Sequence, residues 1–166
     1  MKIKITWEIA KGEKTYSVSA KKIQNWFQKI SPAIRELPQF ADTVKTLGFR
    51  PASVNLLVCD DVIMRDYQKK FRKLDRTTDI LSFPAIESVR PQDFAADKSL
   101  GDLIISLPAV VRGAKRRKPR SVPKEFQEVL IHGCLHLLGL DHVRTKKEAR
   151  LMRAYQKQIL KKIPGE

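Results

Sequence analysis

Cysteine is nearly absent from this chain of 166 residues: Cys59 and Cys134 are the only two, and each sits inside an apolar segment. That excludes a disulfide framework and reads as two small buried hydrophobes. Long apolar runs are missing as well; none approaches the roughly 18 residues needed to cross a bilayer. The first residues, Met1 to Ile5, alternate lysine with isoleucine and do not form the apolar block of a signal peptide. A cytoplasmic protein that is neither exported nor membrane-bound is therefore expected. Repeats and low-complexity tracts are lacking, and no aromatic-interleaved pattern for base stacking is visible. Acidic residues are scarce: 18 Asp and Glu face 33 Lys and Arg, a formal net charge of +15. Such an excess favours polyanionic partners, nucleic acid or a ribosome, unless it is only a solvated basic surface.

What is present describes one domain over residues 1–166, with 42% hydrophobic residues. Ile3, Ile5, Trp7 and Ile9 alternate with polar residues, the period of a strand. Ser19 is placed to cap a helix carrying Ile23, Trp26, Phe27 and Ile30. Residues 31–52, with Pro32, Pro38, Gly48 and Pro51, read as helix fragments and loop. Residues 53–59 read as a buried strand. Asp60 or Asp61 then caps a helix with a stripe of Met64, Tyr67, Phe71 and Leu74. Residues 78–84 and 101–107 read as short strands, separated by a polar loop over 85–99. A basic run over 112–120 is broken by Gly113 and Pro119. Pro123 starts a central helix that Gly139 ends, and an amphipathic helix over 145–161 closes the chain. The expected class is α+β: a mixed sheet of about four strands covered by four or five helices.

Histidine is rare, and its placement carries the chemistry. All three histidines lie within His132-Gly-Cys-Leu-His136-Leu-Leu-Gly139-Leu-Asp141-His142. Residues four apart share a helix face, so His132 and His136 suit two ligands of one metal. Gly139 can take a left-handed conformation and turn the chain back, bringing His142 in as a third ligand. Three imidazoles with an open fourth position make a catalytic-type site, zinc by default, with another divalent metal possible. Asp141 is positioned to orient a ligating ring or to cap the turn. Cys134, two residues from His132, points to nearly the opposite face and is not expected to ligate. The spacing matches the HExxHxxGxxH arrangement of a metallopeptidase class, but Gly133 replaces the glutamate that activates water there. The ligand geometry is kept without the peptidase base, and a small residue there is expected to leave room over the metal. RNA suits such a site: either its 2′-hydroxyl is an internal nucleophile or a metal-bound hydroxide attacks phosphorus directly, and on either route a metal and a guanidinium stabilise the charge that develops.

At these residues the sequence resembles the YbeY endoribonucleases, a family of rRNA maturation factors. The likeness rests on the histidine block, on residues 71–84 (FRKLDRTTDILSFP), on residues 100–107 (LGDLIISL) and on Glu125 before the histidine helix. It implies a metal-dependent, single-strand-specific endoribonuclease in ribosome quality control and 16S rRNA 3′-end maturation, holding one zinc through His132, His136 and His142. His132, His136 and Arg72 would then be catalytic, Arg72 also binding phosphate. Asp79 and Asp102 either cap turns or line the cleft, Asp79 with Asp141 supporting the ligands from behind. Arg116, Arg117 and Lys118 lie in the basic run before the histidine helix and either contact RNA phosphates or remain solvated. No DNA specificity is expected, and the sequence leaves the oligomeric state open. Leu140, the basic stretch after His142, and Gln156 and Lys157 in the last helix depart from the family pattern. Two other readings compete: a ribosome-associated assembly factor with a structural metal, and a metal hydrolase of another substrate.

Overall fold

In a computed structural model, the described residues are 2–8, 18–38, 53–85, 99–116, 120–140 and 145–163. Four strands form one sheet: β1 (Lys2–Glu8), β2 (Ser53–Cys59), β3 (Ile80–Pro84) and β4 (Ser99–Ser106). Their spatial order is β1-β2-β4-β3. β1, β2 and β4 run parallel, and β3 is antiparallel to β4 at the edge. The mixed α+β architecture is thus the one expected. Five α-helices accompany the sheet among the described residues: α1 (Ala20–Arg35), α2 (Asp61–Tyr67), α3 (Leu107–Arg116), α4 (Val122–Leu137) and α5 (Lys146–Lys162).

Side chains alternate across the sheet, so each face is a separate packing problem. Val54, Leu56 and Val58 of β2 and Leu103 and Ile105 of β4 enter the main core with α1, α4 and α5. Phe126 of α4 and Phe27 of α1 are fully buried there, each burial contributing roughly 1.5–3 kcal/mol. On the other face, Cys59, Leu81 and Ile104 meet Met64 of α2 in a smaller cluster. That helix is short, so the remainder of this face, including Lys4, Thr6, Asn55 and Asp102, is exposed.

Helix boundaries follow their caps. The side chains of Ser19, Asp60, Ser121 and Thr145 each accept a backbone N–H three residues on, opening α1, α2, α4 and α5. Three expectations are corrected. α1 runs through Pro32 to Arg35 instead of fragmenting at residue 31; Pro32 is exposed, so water can satisfy the carbonyl that loses its amide partner. Gly113 does not break the basic run; residues 107–116 form α3, in which Gly113 is buried against Glu125. The stripe from Met64 to Leu74 is not one helical face. A π-turn over Gln68–Arg72 follows α2, and Phe71 and Leu74 are exposed.

Asp61 ties four of these pieces together. Its Oδ1 accepts from Ser106 Oγ at 2.7 Å and Thr77 Oγ1 at 3.0 Å, while Arg112 of α3 grips both oxygens. Partial burial pushes the Asp61 carboxyl up, but the donors from Arg112, Ser106 and Thr77 outweigh it and hold it below its ordinary value. A lowered folded-state value contributes stability above the unfolded value near pH 4, lost as pH falls through the folded value. Asp61→Asn is therefore expected to lower the melting temperature at pH 7 and to flatten its decline between pH 5 and pH 3. Thermal melts across that range check both effects.

Candidate active site

The histidine helix is pressed against the sheet, and glycine makes this possible. A Cβ on Gly133 would stand 2.4 Å from Ile80 Cδ1 and 2.8 Å from a Leu103 methyl. The small residue expected to leave room over a metal is thus buried against β3 and β4, and its role is helix–sheet contact. Such contact carries the adjacent His132 to the edge of the sheet, beside the residues that lead into β3. Cys134 is buried in the main core, where burial pushes its thiol up to about 12, so it stays a neutral hydrophobe.

His132 and His136 lie one helical turn apart and are half-buried. Their Nε2 atoms are 3.2 Å apart, and the rings stand nearly perpendicular at 86°. Two nitrogens each about 2.0–2.1 Å from one tetrahedral ion stand about 3.3–3.4 Å apart, so the pair fits two ligands of a single metal. The chain then turns back as the glycine spacing predicts. Gly139 adopts φ +84°, and a Cβ there would meet no atom within 4 Å, so its conformation alone favours glycine. Its N–H donates to His136 O at 3.0 Å, and that of Leu140 donates to Leu135 O at 3.1 Å, a Schellman closure sealed by buried Leu140. Asp141 and His142, next along the chain, lie outside the described residues.

His132 opens onto a cavity of about 460 Å³ whose polar walls are Asp79, Glu128, Arg153, Gln156 and Lys157. Asp79 stands just before β3, held by its own turn: its Oδ1 accepts from Ile80 N at 2.9 Å and Thr78 Oγ1 at 3.2 Å. Its carbonyl accepts from Ser106 N, so the segment is pinned from both sides. Gln156 donates to the Glu128 carbonyl at 3.1 Å and clamps α5 to α4. Glu128 pairs with Arg120, which also approaches buried Glu125 at 3.8 Å.

Asp79 also borders a second cavity of about 330 Å³, lined by Thr77, Arg112, Arg116 and Glu125 among others. Arg116 is thereby brought to the neighbourhood of the cleft, whereas Arg117 and Lys118 lie outside the described residues. Arg72 is exposed at the end of the π-turn and is not among the residues lining the histidine cavity. Asp102 is on the sheet face opposite Leu103 and the histidine helix, and lines a different cavity. Arg153 and Lys157 went unremarked as binding residues in the sequence. Their spacing marks only the polar side of an amphipathic helix, and the packing of α5 on α4 turns that side toward His132.

The fold and this cleft define a class: an α+β protein presenting a histidine pair from its central helix beside a basic wall. Comparison with known proteins then narrows it. The family model described as Endoribonuclease YbeY matches residues 8–164. Endoribonuclease YbeY of Aquifex aeolicus is 33% identical over 120 residues, covering 72% of this chain and 76% of its own. That of Thermodesulfovibrio yellowstonii is 31% identical over 164 residues, 97% of this chain and 99% of its own. The solution structure of TM1509 from Thermotoga maritima superposes with a TM-score of 0.59 at 26% identity, covering 96% of this chain and 87% of that one. The chain belongs to the YbeY endoribonuclease family.

The contact at Gly133 yields a direct test. Gly133→Glu, which would write the metallopeptidase letter into the motif, drives a carboxylate into Ile80 and Leu103. It is expected to cost more than about 3 kcal/mol. Gly133→Ala gains roughly 1 kcal/mol of helix propensity but loses about 1–3 kcal/mol to overpacking, a small net loss. Urea unfolding of both variants checks the order.

Proposed function

We propose that this chain is a metal-dependent, single-strand-specific endoribonuclease that hydrolyses RNA phosphodiesters in rRNA processing, at the 16S rRNA 3′ end, and in ribosome quality control. Residues 1–166 would form one such domain. The observation that carries the reading is the His132–His136 pair, at the separation of two ligands of one ion, with His132 lining a cavity that Arg153 and Lys157 also wall. One zinc per chain, or another divalent metal, would be held by these two histidines and His142. When bound, such an ion acts as a Lewis acid toward phosphoryl oxygen and water.

The chain's own residues supply the rest. Arg153 and Lys157 hold phosphates of the strand against the cleft, and Arg116 extends that hold on the other side of Asp79. Arg117 and Lys118, next in the chain, would add to the same basic run. Asp79 and Asp141 orient the ligating rings. Arg72, given a catalytic role by the family motif, would serve phosphate contact from the π-turn. Gly133 denies the site a peptidase base; the nucleophile is then either a water that the metal would activate, giving hydrolysis, or the RNA's own 2′-hydroxyl, giving a cyclic phosphate that water opens afterwards. Membrane attachment is not part of this reading, and no described helix is long and apolar enough to cross a membrane. DNA specificity is not part of it either, and the cytoplasm, where ribosomes mature, is the compartment implied.

Cleavage of a single-stranded RNA by purified protein tests the proposal. Cleavage is expected to disappear on chelation and in His136→Ala, and to fall in folded Arg72→Ala. Persistence in all three conditions would remove the chemistry from this cleft. RNA or ribosome binding without any cleavage would favour an assembly factor with a structural metal.

Salt dependence tests the basic walls separately. Arg153→Ala with Lys157→Ala is expected to lower the slope of log affinity against log salt by roughly 1.4, and the Arg116, Arg117 and Lys118 triple alanine variant by roughly 2. An unchanged slope removes the corresponding residues from the RNA surface.

A further inference from the structure

The open face of the sheet carries a site that the histidine cleft does not use. Register places Phe83, Asp102, Asn55 and Lys4 in one row across all four strands. These four line a cavity of about 420 Å³ on the face away from the histidine helix. A row of four strands is about 14 Å wide, the footprint of one or two nucleobases. The π-turn projects Phe71 over one end of this row. Phe71 meets Phe83 edge-on at 5.1 Å and stacks offset on Tyr67 at 5.8 Å, yet remains 49% exposed. A large ring held by two others and still half in water is a preformed stacking surface.

Charge around this ring has the sign a strand of RNA needs. Lys70 Nζ lies 5.3 Å from the Phe71 ring centre, and Arg72 and Lys73 are exposed beside it in the sequence, while Lys69 pairs with Asp75 at 3.2 Å. The middle of the floor has the opposite character, with Lys4 set apart at the β1 end of the row. Asp102 accepts from Asn55 Nδ2 at 2.8 Å, and a carboxylate can accept further donors but offers none. Phosphates are thus favoured at the rim and amino-bearing base edges at the floor. An apolar protein segment would leave this polar row unmatched.

We propose that this face is a stacking platform for an unpaired nucleobase of single-stranded RNA, with Phe71 as the stacking ring. Asp102 selects cytosine, adenine or guanine, which carry an exocyclic amino group, over uracil. The proposal rests on the RNA reading above and names a second substrate subsite for it. Arg72, adjacent to Phe71, then serves the strand at this platform, and His132 serves it across the sheet edge.

The test is binding of fluorescent single-stranded hexacytidylate and hexauridylate to the full chain carrying His136→Ala, which leaves the oligomers intact. Phe71→Ala is expected to weaken hexacytidylate binding roughly ten-fold with an unchanged salt slope, as stacking requires, and Phe71→Tyr to restore it. Asp102→Ala is expected to erase the preference for hexacytidylate. Photocrosslinks from 5-iodocytidine are expected on the peptide containing Tyr67 and Phe71. Equal affinity of Phe71→Ala and its folded parent, or crosslinks confined to the peptides of α4 and α5, would overturn the platform and leave the RNA reading standing. Failure of the parent to bind any single-stranded RNA would overturn both.

Discussion

Helix α4 lies so close to the sheet that even a methyl group at residue 133 would have to push aside the side-chain tips of Ile80 and Leu103. This constraint organises the molecule. It brings Ile80 and Leu103 under the helix, gives His132 its position at the sheet edge, and sets the cavity between α4, α5 and the start of β3. The residue that distinguishes this histidine motif from a metallopeptidase motif is therefore also the residue that allows the packing. Chemistry and architecture meet at one atom, the missing Cβ of Gly133.

Around that contact, the cleft is built from polar groups that are already tied down. Asp79 is fixed by its own turn and by the Ser106 amide, Glu128 by Arg120, and Gln156 by a main-chain carbonyl. Asp61 braces the outside of the same corner, joining Thr77, Ser106 and Arg112. Groups held this way lose little freedom when substrate arrives, which is how a site on a small scaffold keeps its geometry. The exposed cations Arg153, Lys157 and Arg116 are the movable part. Long, solvated side chains can follow a flexible phosphate chain without a fixed register.

Much of this was legible in the sequence wherever a short-range rule decides. Alternation marked β1, side-chain caps marked α1 and α2, Pro123 marked the start of α4, amphipathic spacing marked α5, and Gly139 marked the turn after the histidines. The helical spacing of His132 and His136 already placed both rings on one face. Legibility failed where a longer-range contact overrode a local rule. Gly113 reads as a breaker, yet α3 continues through it because buried Glu125 occupies the space a side chain would take. Pro32 reads as a terminator, yet α1 passes it on an exposed side. The stripe ending in Phe71 and Leu74 reads as a buried face, yet the π-turn rotates it out of the core.

By itself, then, the sequence determined the four strands, the helices other than α3, the shared face of two histidines, the glycine turn and the basic character of the chain, because each depends on neighbours a few residues away. Only the tertiary structure decided which surfaces face each other. Arg153 and Lys157 reach the histidine cavity through the docking of α5 on α4, and Asp102 leaves it because strand alternation turns its side chain to the opposite face from Leu103. Phe71 and Phe83, twelve residues apart in the chain, become one aromatic surface only because a π-turn and an edge strand converge. Such juxtapositions come from packing between elements distant in the sequence, and no local period encodes them.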